Sequence, residues 1–177
     1  VITLTSADLI VDGNAHIVDQ SAYSSQNRYA ISAIGGVSVT IKNGLIESTN
    51  NTAVYINRLG SSGLQEDHAK FEMTGGTIKG GEYGLKHTQL NEITLSGGTI
   101  SGGKNQPDVY MAWEKNSVSG TAKFTVKGNF PFASMKIESA SKINEIDFTK
   151  ATATGEENLQ INLPWDGNET GANMKLF

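Results

Sequence analysis

Phe71-Glu-Met-Thr-Gly-Gly-Thr-Ile-Lys-Gly-Gly81 is answered 22 residues later by Ile93-Thr-Leu-Ser-Gly-Gly-Thr-Ile-Ser-Gly-Gly103. Each unit opens with two apolar residues separated by a polar one. That is the period of a β-strand with one face turned to a core. A Gly-Gly pair follows, then Thr-Ile, then a second Gly-Gly pair. Glycine tolerates the left-handed backbone of sharp corners, so each unit reads as strand, corner, short strand, corner.

The alternation extends in both directions. Leu9, Val39, Phe71, Ile93, Phe124 and Ile146 form one column of apolar positions, and Val11, Ile41, Met73, Leu95, Val126 and Phe148 a second. The column is followed by Asp12-Gly13-Asn14, Lys42-Asn43-Gly44 and Lys127-Gly128-Asn129 in three of the units. Leu45-Ile46, Thr77-Ile78 and Thr99-Ile100 supply second strands. Val54 with Ile56, Tyr83 with Leu85, Val109 with Met111, Met135 with Ile137 and Leu159 with Ile161 supply third strands. Three short strands per repeat make one turn of a wound, three-sided solenoid in which each turn buries the face of its neighbour. About six coils, each about 4.8 Å above the last, are expected. An antiparallel sandwich also has short alternating strands, but nothing in it requires this unit to recur at one offset.

Steps between successive second-column residues are 30, 32, 22, 31 and 22 residues. The 22-residue steps are minimal coils, and the longer ones place insertions near 19–28, 58–68 and 113–120. Insertions leave a solenoid as loops and often build a binding face. The expectation is one domain over 1–177, a right-handed parallel β-helix excised from a larger protein. Residues 162–177 should form a closing loop and C-terminal cap, with Trp165 and Met174 to Phe177 sealing the core. Ile2 to Leu4 begins almost inside the first coil, which points to continuation upstream or to a cap from a neighbouring domain.

These units resemble the pectin-lyase-like superfamily of right-handed parallel β-helices, over nearly the whole chain. Leu9-Ile-Val-Asp-Gly-Asn14 and Val39-Thr-Ile-Lys-Asn-Gly44 look like the opening coils of its members. Ser96-Gly-Gly-Thr-Ile-Ser-Gly-Gly103 is similar to repeats of large bacterial surface proteins. The resemblance implies a fold and not an activity, because members include polysaccharide lyases, glycoside hydrolases, phage tailspikes and adhesins. The Asn-Thr-Asp, Asp-Asp, Gly-His-Gly and Arg-Ile-Lys set of its polygalacturonase-like members is absent, and no aspartate column of the calcium-binding lyases is visible.

Composition narrows the function classes. The 177 residues are 37% hydrophobic with a net charge of −4, and the only arginines are Arg28 and Arg58. No basic stripe exists for phosphates, so nucleic acid is not an expected partner. No cysteine is present, which removes disulfides and thiolate metal sites. No apolar stretch has the length of a membrane-spanning helix. His16, His68 and His87 lack metal-ligand spacing and read as turn or surface histidines, so neither metal nor cofactor is expected.

Two sets of residues carry chemistry. Glu82 and Asp108 precede third strands of successive coils and are the weak candidates for a catalytic carboxylate pair, although exposed turn residues explain them as well. Tyr55, Lys86, Tyr110 and Lys136 fall on outward positions of third strands, with His87 and Trp113 at strand ends. An exposed aromatic plane beside polar groups suits a sugar ring, so Tyr55, Lys86, His87, Tyr110 and Trp113 are the ligand-binding candidates; shielding of neighbouring coils is the structural alternative. The expected function is a non-catalytic module of a secreted or cell-surface bacterial protein, a rigid scaffold with glycan or host-surface recognition. The alternative is a carbohydrate-active enzyme, lyase or hydrolase.

Overall fold

The computed structural model describes residues 1–22, 28–57, 68–88, 91–112, 120–138, 143–147, 159–165 and 173–176. Every regular element among them is a β-strand, and the strands form three sheets. The first sheet stacks β2 (Leu9–Val11), β5 (Ser38–Ile41), β8 (Lys70–Met73), β11 (Glu92–Leu95) and β14 (Gly120–Val126), all parallel. The second stacks β3 (His16–Asp19), β6 (Leu45–Ser48), β9 (Thr77–Gly80) and β12 (Thr99–Ser101). The third stacks β1 (Ile2–Leu4), β4 (Ile31–Ile34), β7 (Val54–Asn57), β10 (Leu85–Thr88), β13 (Val109–Ala112) and β15 (Ser134–Glu138). The chain visits first, second and third sheets in turn, which makes the molecule a parallel β-solenoid.

The apolar columns meet in register. Leu9, Val39, Phe71, Ile93 and Phe124 are successive partners, as are Val11, Ile41, Met73, Leu95 and Val126. Ile17, Ile46, Ile78 and Ile100 make the matching column of the second sheet. All three sheets turn these residues into one core, in which Phe71, Met73, Ile78, Leu95 and Phe124 are at most 1% exposed. Fully burying one such side chain contributes about 1.5–3 kcal/mol, so the columns carry the fold.

The Gly-Gly pairs have a steric cause. Gly13, Gly44, Gly76, Gly98 and Gly128 all have positive φ and occupy the same corner, after the first-sheet strand of each coil. At the next corner, a Cβ on Gly81 would run into the Thr49 carbonyl and one on Gly103 into the Gly81 carbonyl. At Gly81 and Gly103 successive coils approach too closely for any side chain.

Asn91 closes another corner from inside. It is 1% exposed; its Oδ1 accepts from the Ala69 N–H at 3.0 Å, and its Nδ2 donates to the Ile56 carbonyl at 3.0 Å and to Thr88 Oγ1 at 2.7 Å. Asn91→Ala leaves the buried Ala69 N–H without that acceptor and is expected to cost about 2 kcal/mol, measured as a lowered urea midpoint at unchanged slope. A cost indistinguishable from zero would show that water takes over these bonds.

Among the described residues there are four complete coils, β2–β4, β5–β7, β8–β10 and β11–β13, preceded by the third-sheet strand β1 and followed by a fifth with first- and third-sheet strands only. In the place of its second strand, the Pro131 carbonyl accepts from Ile100 N–H and Phe132 packs into the core. The chain then reverses. β16 (Ile143–Asp147) runs antiparallel on β15, so Ile146 pairs with Met135 and does not extend the first column; Phe148 lies outside the described residues. β17 (Leu159–Trp165) runs antiparallel on β14, pairing Ile161 with Phe124, and is no third strand. β18 (Asn173–Leu176) adds to β17, so the expected closing loop is partly strand. β3 and β4 of the first coil were not anticipated, and the 19–28, 58–68 and 113–120 insertions fall largely outside the described residues.

Candidate functional site

The outward side chains of the third sheet form the candidate site. Strand pairing places Ser32 beside Tyr55, Tyr55 beside Lys86, Lys86 beside Tyr110, and Tyr110 beside Lys136. Their neighbours in each strand point inward, so this column is held by the core it covers. Tyr55, Lys86, Tyr110 and Lys136 are all half-buried.

The column is bound to itself through ring faces. Lys86 Nζ lies 5.7 Å from the Tyr55 centroid and 5.4 Å from that of Tyr110, and Lys136 Nζ lies 5.3 Å from Tyr110. Such contacts contribute about 0.5–1 kcal/mol each at exposed positions, and they orient otherwise flexible lysines. One further ring, Tyr29, widens the platform, and the buried Tyr83 packs against it. Tyr29 stacks on Tyr55 at 4.5 Å with 29° between planes, and Tyr83 tilts against Tyr110 at 4.8 Å and 48°. Burial, then the nearby Glu82 carboxylate, pushes the Tyr29 hydroxyl pKa up, so Tyr29 stays neutral. The result is an aromatic shelf with two ammonium groups set into it.

Of the predicted ligand-binding residues, the structure brings Tyr55, Lys86 and Tyr110 together. His87 is elsewhere. It is an inward residue, wholly buried, between Ile56 and Met111 in the third-sheet register, with its ring 5.3 Å from Phe124 and 13° from parallel. The inward pair of β10 is therefore Leu85 and His87, not Tyr83 and Leu85. His68 is also buried, and of the three histidines only His16 lies on the surface, 3.1 Å from Glu47. Trp113 lies outside the described residues.

Glu82 and Asp108 are engaged in opposite directions. Glu82 accepts from Thr52 Oγ1 of the preceding coil at 3.0 Å. Asp108 accepts backbone N–H bonds from Gly102 at 2.8 Å and, in the following coil, from Ala133 at 2.7 Å and Ser134 at 3.0 Å. Three charge-assisted bonds to backbone make Asp108 a staple between coils four and five. Among the described residues no group of three or more His, Cys, Asp or Glu side chains is placed to hold a metal ion.

Tyr29 was the member of the face that sequence reasoning missed, because it precedes a strand that had not been recognised. Tyr83 is buried, as the sequence reading expected, but it lies before β10 and is not one of that strand's inward pair.

Fold and face together define a parallel β-solenoid with an aromatic and cationic strip along one side. Comparison of the chain with family models, with curated proteins and with solved structures gives no match in any of the three. No helix among the described residues is long and apolar enough to cross a membrane.

Proposed function

We propose that this chain is a non-catalytic module of a secreted or cell-surface bacterial protein, a right-handed parallel β-helix of the pectin-lyase-like kind that holds glycan on its third sheet. The right hand follows from the general rule for crossovers between parallel strands of one sheet, which are right-handed in about 98% of cases. A solenoid of short strands is stiff and repetitive, and it suits a scaffold that presents the same chemistry rung after rung.

The observation that carries the binding role is the in-register column Tyr55–Lys86–Tyr110–Lys136. Its rings offer apolar planes to the C–H faces of sugars, and its lysines offer donors to their oxygens. The platform is fixed by strand pairing and ring contacts, so little ordering is left for the ligand to drive.

The test is retention of the folded protein on a glycan array, compared with a Tyr55→Ala, Tyr110→Ala double variant. Outward positions are not part of the core, so far-UV circular dichroism should be unchanged while retention falls by about tenfold or more, the loss of roughly 1.4 kcal/mol. Equal retention by both proteins removes the face as a glycan site.

A further inference from the structure

Only one asparagine of the chain, Asn43, is followed by glycine. The fold dictates that glycine. Gly44 turns the corner between β5 and β6 at φ 95°, and a Cβ on it would lie 2.6 Å from the Ala15 carbonyl oxygen. Backbone conformation and the preceding coil both exclude an L side chain there. Glycine is also the residue that least obstructs its own amide nitrogen. Coil stacking thus places an unshielded amide directly after Asn43, whose side chain is exposed.

The groups that would react are already together. The Gly44 N–H donates to Asn43 Oδ1 at 2.8 Å. The amides on either side are committed to the first coil, since Lys42 and Asn43 donate to the Val11 carbonyl and Leu45 to that of Ala15. Among the described residues no such bond ties the Gly44 nitrogen to a neighbouring coil. Asn51 and Asn91 differ on each count. Both are buried, their side-chain amides donate to Asp19 and to the Ile56 carbonyl, and Thr52 and Glu92 follow them.

We propose that Asn43 is a self-modification site, at which the folded chain deamidates through a succinimide with water as the only co-reactant. The Gly44 nitrogen, its proton taken by hydroxide, bonds to Asn43 Cγ. The Cγ–Nδ2 bond breaks, and ammonia leaves with a proton from water. Water then opens the ring. Cleavage at Cγ gives aspartate; cleavage at the main-chain carbonyl gives isoaspartate, with the backbone routed through the former side chain. One water enters, one ammonia leaves, and the corner gains a negative charge in a chain that already carries −4.

The two products are unequal. At Asp12-Gly13, in the first coil, the Gly13 N–H makes the same bond to Asp12 Oδ1 at 2.7 Å, so an aspartate suits this corner. Isoaspartate lengthens the main chain by one carbon. It does so where a Cβ on Gly76 of the next coil would lie 3.0 Å from the Asn43 carbonyl carbon. Isoaspartate therefore strains the stack, and aspartate does not.

The experiment incubates the whole folded chain, and the same chain unfolded in guanidinium chloride, in mildly alkaline buffer made with heavy-oxygen water. After digestion in ordinary water, electron-transfer fragmentation of the peptides separates aspartate from isoaspartate. In the folded chain Asn43 should convert ahead of every other asparagine, and each product should carry one heavy oxygen. Its rate should lie within about tenfold of the unfolded chain's, because a corner that had to open first would add its opening free energy to the barrier. A folded rate slower than that, earlier conversion of another asparagine, or products without heavy oxygen overturns the proposal. Asn43→Gln, an exposed substitution, should keep the fold and abolish the conversion at this corner; conversion that persists there also overturns it. Asn43→Asp should keep the urea midpoint of the fresh protein, while the isoaspartate fraction, separated by anion exchange, should unfold at a lower one. Equal midpoints overturn the inequality of the products.

Discussion

Gly98→Ala is expected to destabilise the protein by on the order of 2–5 kcal/mol, whereas Gly13→Ala should cost only about 1–2 kcal/mol. Both glycines sit at the corner after the first-sheet strand with left-handed backbone, at φ 92° and 65°. An added Cβ suffers the backbone strain at either one. The difference is what lies above and below. A Cβ on Gly13 meets nothing within 4 Å, because Gly13 is on the first coil. On Gly98 it would collide with Met73 Cε and come within 2.7 Å of the Gly76 carbonyl oxygen, and Gly76 stands in the same way 3.0 Å from the Gly44 oxygen. Gly98 and Gly76 thus each rest on the carbonyl of the glycine one coil before, and Gly44 rests on that of Ala15. The Gly98 variant needs two coils to separate, which loosens the Met73–Leu95 core layer as well. Gly128, which also meets nothing within 4 Å, should behave like Gly13. Urea unfolding of the three variants decides the matter; equal costs at all three would mean that the coils do not stack closely at this corner.

The same close stacking explains why the fold was legible in the sequence. Gly-Gly at two corners and apolar residues at every second position are direct consequences of coils packed on coils, and they recur at the coil length. What was not legible has equally physical reasons. Period-two alternation states which face of a strand is buried, not which way the strand runs, so Ile146 and Ile161 looked like further parallel rungs and are antiparallel ones. The corner between the second and third sheets varies, with seven to nine residues from Ile46 to Val54, Ile78 to Leu85 and Ile100 to Val109. Its length does not fix the third-strand register, and hydropathy then favours Tyr83 over His87 for the inward place. β3 opens on a histidine and β4 spends an inward position on Ala33, so neither shows a strong apolar pair. Tyr55, Lys86, Tyr110 and Lys136 were found because outward residues follow from inward ones once a strand is placed.

Between pH 6.5 and about 4 the protein is expected to lose about 3 kcal/mol of stability through His87 alone. The ring is wholly buried, and burial lowers its pKa from 6.5 to about 4, against the opposing effect of the Thr88 carbonyl 3.0 Å from Nδ1. Among the described residues its Nε2 has no hydrogen-bond partner. Ile56 and Met111 flank it in the sheet and Phe124 lies under it, so none of these neighbours offers an acceptor for a second N–H. The unfolded chain takes up a proton near pH 6.5 and the folded chain only near 4. Stability is therefore full above 6.5, falls as pH drops through that interval, and levels off below it. Asp19 acts in a lower window. Burial raises its pKa, but hydrogen bonds from the Ser21 backbone and from the Ser21, Ser48 and Asn51 side chains outweigh this and hold it below 3.8, so its contribution is lost only as pH falls through that lower value. His87→Met isolates the effect. It removes the orphaned nitrogen from an apolar column, while the Thr88 carbonyl keeps the Asn91 amide at 3.5 Å. Stability near neutral pH should rise by about 1 kcal/mol, and the slope between pH 6.5 and 4 should flatten. A variant that retains the wild-type slope in urea titrations would place the acid sensitivity in other groups and would mean that the His87 ring is not buried as a neutral base.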